Sequence, residues 1–114
     1  MQVEKLAATR FEVTRKFADA VFADTDILSR KTRVAPQIKN GKPSGFTIYD
    51  IQPEAPAAKL GFLDGDIVLD VDGHKIASIS DVIDARSELE GASSLVVHIE
   101  RRGMPVTLSY SVTP

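Results

Sequence analysis

All seven glycines and six prolines of this 114-residue chain lie at or beyond Pro36. The first third therefore carries no backbone punctuation, while the remainder is interrupted every few residues. An uninterrupted stretch permits continuous helix, so residues 1–30 are predicted to be mainly helical. Val13, Phe17 and Val21 recur every four residues with Ala20 beside them, which puts one apolar stripe on such a helix, and Thr14 can cap it. Phe11 and Phe22 fall off that stripe. The segment reads either as a helix packed on the domain C-terminal to it or as a spacer or dimerising helix.

From Lys31 onward short β-prone runs alternate with turn residues. Thr32 to Lys39 reads as a strand, and Pro36 inside it, unable to donate a ladder hydrogen bond, marks an edge or an irregular start. Asn40-Gly41 is a tight turn, and Gly45 to Ile51 alternates at period two as the next strand. Pro56 suits the start of a one- or two-turn helix that Gly61 can end in the left-handed conformation. Asp66 to Val71, the Asp72-Gly73 turn and His74 to Ile76 form a hairpin. Ser80 can cap a second helix that runs to about Glu90 and is stopped by Gly91, with Val82, Ile83, Arg86 and Leu89 near helical spacing. Ser94 to Arg101 and Met104 to Val112 are the last two strands.

The length suits one small domain. A net charge of -2 lacks the basic footprint that phosphate-backbone binding requires, so nucleic acid is excluded as the expected partner. Apolar runs such as Ile67 to Leu69 are far too short to cross a bilayer, and no membrane contact is expected of this stretch. Without cysteine there are no disulfides, thiol chemistry or Cys-type zinc sites. Met1 to Leu6 shows no basic segment followed by an apolar core, so no signal peptide is expected there.

The block Ala55-Pro56-Ala57-Ala58-Lys59-Leu60-Gly61-Phe62-Leu63-Asp64-Gly65-Asp66-Ile67-Val68, followed by Val71-Asp72-Gly73, sets a short helix, a glycine corner and a Gly-Asp strand in succession. In that order and spacing it resembles a bacterial PDZ domain, and the resemblance covers Lys31 to Thr113. The fold it implies is α+β: a PDZ-like, partly open barrel or sandwich of five or six strands with two helices in residues 31–114, preceded by the helical lead-in of residues 1–30. The flanks Arg33-Val34-Ala35-Pro36, Asn40-Gly41-Lys42-Pro43-Ser44-Gly45-Phe46, Ala92-Ser93-Ser94-Leu95 and Glu100-Arg101-Arg102-Gly103-Met104-Pro105-Val106-Thr107-Leu108-Ser109-Tyr110 are similar to the PDZ domain of the general secretion pathway protein C family of type II secretion. That similarity implies a periplasmic, non-catalytic interaction module of an inner-membrane protein whose anchor lies outside this sequence. Its implied partners are secreted proteins or secretion components such as the secretin, with a homodimer through the leading helix as a further expectation. The PDZ module of a periplasmic protease is the alternative.

A PDZ domain binds an extended peptide as an added strand between a sheet edge and a helix. The expected edge here is Ser44, Gly45, Phe46, Thr47, Ile48 and Tyr49, and the facing helix offers Val82, Arg86 and Leu89 on one side. Ser44 to Phe46 would stand where the carboxylate-binding loop lies, but Pro43 has no amide to donate and the usual glycine-leucine-glycine-phenylalanine pattern is missing. Arg86 either favours an acidic ligand or is a solvated residue with its stem on apolar surface, and Phe46 suits core better than pocket.

No nucleophile with a base appears, and no cofactor is indicated. Asp64, Asp66, Asp70 and Asp72 do not follow a calcium-loop pattern, because Ile67-Val68-Leu69 interrupts them as strand, and they read as turn and strand-end carboxylates. His74 and His98 read as structural or exposed rather than as zinc ligands.

Overall fold

The computed structural model describes residues 3–114. Its strands are β1 (Val3–Ala7), β2 (Arg10–Thr14), β3 (Arg33–Lys39), β4 (Lys42–Tyr49), β5 (Asp66–Val71), β6 (His74–Lys75), β7 (Ser94–Arg101) and β8 (Met104–Thr113). The helices are α1 (Arg15–Ala23), α2 (Pro56–Lys59) and α3 (Ile79–Leu89), with a 3-10 turn at Thr25–Ser29. One sheet runs in the order β1-β2-β8-β7-β5-β4-β3, and β6 pairs on β5.

The strands after residue 31 follow from alternation. In β8, Leu108, Tyr110 and Val112 are buried while Thr107 and Ser111 are exposed, and in β7 Val97 and Ile99 are buried around an exposed His98. Asn40-Gly41, Asp72-Gly73 and Arg102-Gly103 each place two successive residues at positive φ, the geometry that two-residue hairpin turns require. Pro56 sits in the first turn of α2, and Ser78, rather than Ser80, caps α3 by accepting a hydrogen bond from the Asp81 amide at 3.2 Å.

The leading segment departs from expectation. Helix in residues 1–30 is confined to α1 and the 3-10 turn, whereas residues 3–14 form an antiparallel hairpin; Met1 and Gln2 lie outside the described residues. Phe11 and Val13 alternate into the core at 2% and 6% exposure, a period-two pattern that the four-residue stripe through Val13 obscured. β2 then runs parallel to β8 from Arg10 opposite Ser109 to Thr14 opposite Thr113, and the Phe11 ring stacks on Tyr110 with centroids 5.5 Å apart. Thr14 does cap α1, accepting from the Phe17 amide at 3.1 Å.

The α2 corner ties the chain down. Asp66 is fully buried and accepts from the Leu63 amide at 2.9 Å and from Arg101 at 2.9 and 2.8 Å. Arg101 also donates to the Gly61 carbonyl at 3.0 Å, and the buried Tyr110 hydroxyl donates to the Leu60 carbonyl at 2.5 Å. The hydrogen bonds to Asp66 raise the Arg101 pKa above its ordinary value, and burial pushes the Tyr110 hydroxyl up as well.

A sheet edge and an apolar cavity as the candidate functional site

The strand expected to form the ligand edge is internal. β4 pairs with β3 from Arg33 opposite Tyr49 to Lys39 opposite Lys42, and with β5 through Phe46, Thr47 and Ile48. Ser44 Oγ donates to the Gln37 carbonyl at 3.3 Å, Thr47 Oγ1 to Gln37 Oε1 at 3.1 Å, and the Tyr49 carbonyl accepts from Thr32 Oγ1 at 2.9 Å. Gly45 lies so close to β5 that a Cβ would collide with the Val68 carbonyl oxygen. Lys42 and Pro43 are already paired with Lys39 and Ile38, so this stretch forms strand and not a loop of free amides. Of the six β4 residues, Ile48 alone lines the apolar cavity.

The free edge on this side of the sheet is β3. Antiparallel partners alternate between pairs that exchange hydrogen bonds and pairs that do not. Pro36 has no N–H, so its pairing with Phe46 is of the second kind, and Ala35 and Gln37 on either side carry the bonds to β4. Val34 and Pro36 accordingly turn their backbone groups outward. The edge offers the Val34 amide and carbonyl, then only a carbonyl at Pro36, before the irregularity at Gln37/Ile38. Val34 and Ile38 are exposed apolar side chains on the same strand. Pro36, which in the sequence marks an edge or an irregular start, lies on this outermost strand.

Three exposed cation–carboxylate pairs surround the start of this edge: Arg30 with Asp24 at 3.7 Å, Lys31 with Glu54 at 3.2 Å and Arg33 with Asp50 at 3.4 Å. A backbone hydrogen bond, followed by the one from Lys31, holds the Glu54 carboxyl below its usual range.

On the helical side, Val82, Arg86 and Leu89 share one face of α3 with the buried Ala85, and all four line a cavity of about 260 Å³. Phe17, Val21 and Phe22 of α1 wall the opposite side, and Ile48, Val68 and Val97 of the sheet form its floor. Leu28 and Arg86 are the exposed residues of this lining.

The aspartates and histidines serve the framework. Asp64 Oδ1 accepts from the Ile51 amide at 2.9 Å and Asp72 Oδ1 from the Val96 amide at 2.7 Å, while Asp70 lies 2.6 Å from His98 Nδ1.

The chain has known relatives. Over 71 residues, 62% of this chain, it is 34% identical to the serine protease HTRA1 of Xenopus tropicalis, a match spanning 15% of that protein. Its fold is similar to the PDZ domain of EpsC from Vibrio cholerae, with a TM-score of 0.61 at 12% identity over 84% of this chain and 91% of that one. It is also similar to the PDZ domain of the pullulanase C protein of the Klebsiella pneumoniae type II secretion system, solved in complex with a fatty acid, with a TM-score of 0.55 at 17% identity over 77% and 90% of the two chains. The PDZ domain family model matches residues 10–112, taking in β2 through nearly all of β8, and the chain belongs to the PDZ domain family.

Proposed function

We propose that this PDZ domain, a protein-interaction module, serves a type II secretion assembly in the periplasm, where it recruits or selects secreted proteins or organises the inner-membrane platform. The observation that carries the reading is the unpaired β3 edge, with Val34 and Ile38 exposed along it, on a fold similar to the EpsC and pullulanase C domains. A partner segment adds to β3 as a strand, using the Val34 amide and carbonyl and the Pro36 carbonyl, and sets side chains against α3. The ion pairs at the start of β3 are exposed and exchange readily, so an acidic ligand group replaces their carboxylates at little cost. The main-chain contribution is short because Pro36 offers no donor, so recognition depends on side-chain pockets more than on a long ladder.

The sequence match to HTRA1 favours a second reading, a peptide-binding regulatory module of a periplasmic protease. In both readings this domain is non-catalytic and its ligand lies along β3.

Amide NMR titration with secretin periplasmic fragments, candidate secreted proteins and a library of C-terminal peptides tests the site. Saturable shifts at Val34 to Ile38 and along α3 are expected. Binding by every partner confined to β1 and the outer face of β8 would overturn it. Tight capture of free C-terminal peptides with no response to the secretin or secreted proteins would favour the protease reading.

A further inference from the structure

We propose that β1, at the opposite end of the sheet from β3, is a second docking edge, and that its occupant is an antiparallel strand of a different protein that sets an arginine opposite Glu4. The site is separate from β3 and does not depend on a ligand there. Six strand intervals lie between the two edges, roughly 30 Å along the sheet, so both can be occupied at once.

β1 is anchored to the core yet open on one side. Val3 is buried opposite Val13, which fixes the strand, while Glu4, Lys5 and Leu6 are exposed. β1 pairs with β2 alone in the sheet. It contains no proline, so unlike β3 it keeps an N–H at every residue, until the irregularity between Lys5 and Ala7 ends the ladder. An edge from Val3 to Lys5 is short, so main-chain bonds alone select no partner. Charge does.

Glu4 stands directly opposite Glu12, and directly opposed residues share a face of the sheet. Like charges so placed repel, and neither carboxylate has an ion pair among the described residues. Arg10, exposed two residues from Glu12, pairs with neither of them. A cation on a strand added beyond β1 meets Glu4 from the open side and offsets this repulsion. A second copy of this chain does not supply it. Two antiparallel copies of β1 are related by a two-fold axis perpendicular to the sheet, which keeps every residue on its own face. An axis through Glu4 sets Glu4 against Glu4, and one through Lys5 sets Lys5 against Lys5. The fitting strand therefore has a different sequence, with an acidic residue for Lys5 immediately before the arginine for Glu4.

Amide NMR titration of this chain with two end-blocked peptides tests the assignment. Acetyl-Thr-Val-Glu-Arg-Val-Thr-amide carries the pattern, and acetyl-Thr-Val-Glu-Glu-Val-Thr-amide reverses the charge that meets Glu4. The first should shift Val3 to Lys5 and Phe11 to Val13 saturably. The second should bind about fivefold more weakly, the scale of an exposed ion pair. Glu4→Lys should invert that preference and Glu4→Gln should abolish it, with melting no lower than the parent because the opposed carboxylates are gone.

Linear, unsaturable shifts, equal affinity of the parent for the two peptides, or a Glu4→Lys chain that still prefers the arginine peptide would overturn the proposal. So would a parent dimer in sedimentation whose β1 amides are protected from exchange, since the occupant would then be a second copy. The β3 edge is read from Val34 to Ile38 in the same spectra and in the titrations with secretion components. A silent β1 beside a responsive β3 refutes this inference alone, and the reverse refutes the β3 ligand alone.

Discussion

At the α2 corner, polar groups deep in the fold satisfy one another: Asp66 is held by Arg101 and the Leu63 amide, Arg101 reaches on to Gly61, and Tyr110 closes on Leu60. On the α3 side the same sheet meets a helix across an apolar cavity and ends in β3, a strand paired on one side only. The first region is specified by directional bonds with one good arrangement, the second by apolar surfaces that tolerate several. A module that captures partners needs both, a fixed frame and a face whose packing is incomplete until something is bound.

The largest expected effect comes from removing the frame's cation. Arg101→Ala leaves the fully buried Asp66 with the Leu63 amide and no counter-charge, a loss of about 3–5 kcal/mol. Urea unfolding measures it. A loss under about 1 kcal/mol would mean that the corner relaxes as easily as the α3 side, and the contrast between the two regions would fail.

Gly61→Val comes next. Gly61 has φ +90° and a Cβ there would strike the Phe11 ring, so the substitution combines backbone strain with overpacking, about 2–4 kcal/mol together. The clash falls on the β2 aromatic that stacks on Tyr110, so the Phe11 ring resonances should shift along with the melting temperature. A melting temperature equal to that of the parent would show that the corner is not tightly packed against β2.

That Phe11 contact also explains where the sequence misled. Residues 3–14 are strand because Phe11 and Val13 find a parallel partner in β8, almost one hundred residues away, and no local pattern reveals such a pairing. The hairpin turn at Ala8-Thr9 contains neither glycine nor proline, so the absence of punctuation concealed a reversal instead of signalling a helix. From β3 to β8 each turn carries its own residues, as at Asn40-Gly41 and Asp72-Gly73, and there the elements are legible almost to their ends, apart from β4, which runs from Lys42 to Tyr49 and not from Gly45 to Ile51. The candidate site was half legible. The α3 face with Val82, Arg86 and Leu89 follows from helical spacing, whereas choosing β3 over β4 as the edge requires knowing which strand stands outermost. Local alternation is identical for an edge and an internal strand; Pro36, with no donor to give, is the residue that distinguishes them.

A smaller effect is expected on the α3 side. Ser78→Ala removes the side-chain oxygen that accepts from Asp81, about 1 kcal/mol of cap. If α3 is the loosely held element, amide exchange should accelerate along Ile79 to Leu89 by more than it does in β7 and β8. A uniform acceleration over the whole chain would instead mean that α3 and the frame open together, as one cooperative unit.

The smallest effect on stability belongs to Pro36→Val, and it bears most directly on the edge. Position 36 turns outward, so the restored N–H meets water and takes no bond from β4; unfolding should stay within about 0.5 kcal/mol of the parent. The consequence lies in association. An edge with consecutive donors and acceptors at Val34 and position 36, flanked by the exposed Val34 and Ile38 side chains, is a template for a second copy. Sedimentation should therefore show concentration-dependent self-association of the variant beyond that of the parent, and added strand peptides should compete with it. If the variant behaves as the parent does, the missing donor is not what keeps β3 unpaired. The ion pairs at its start, Lys31 with Glu54 and Arg33 with Asp50, would then be the next groups to remove, because charges at an edge oppose pairing by the same route.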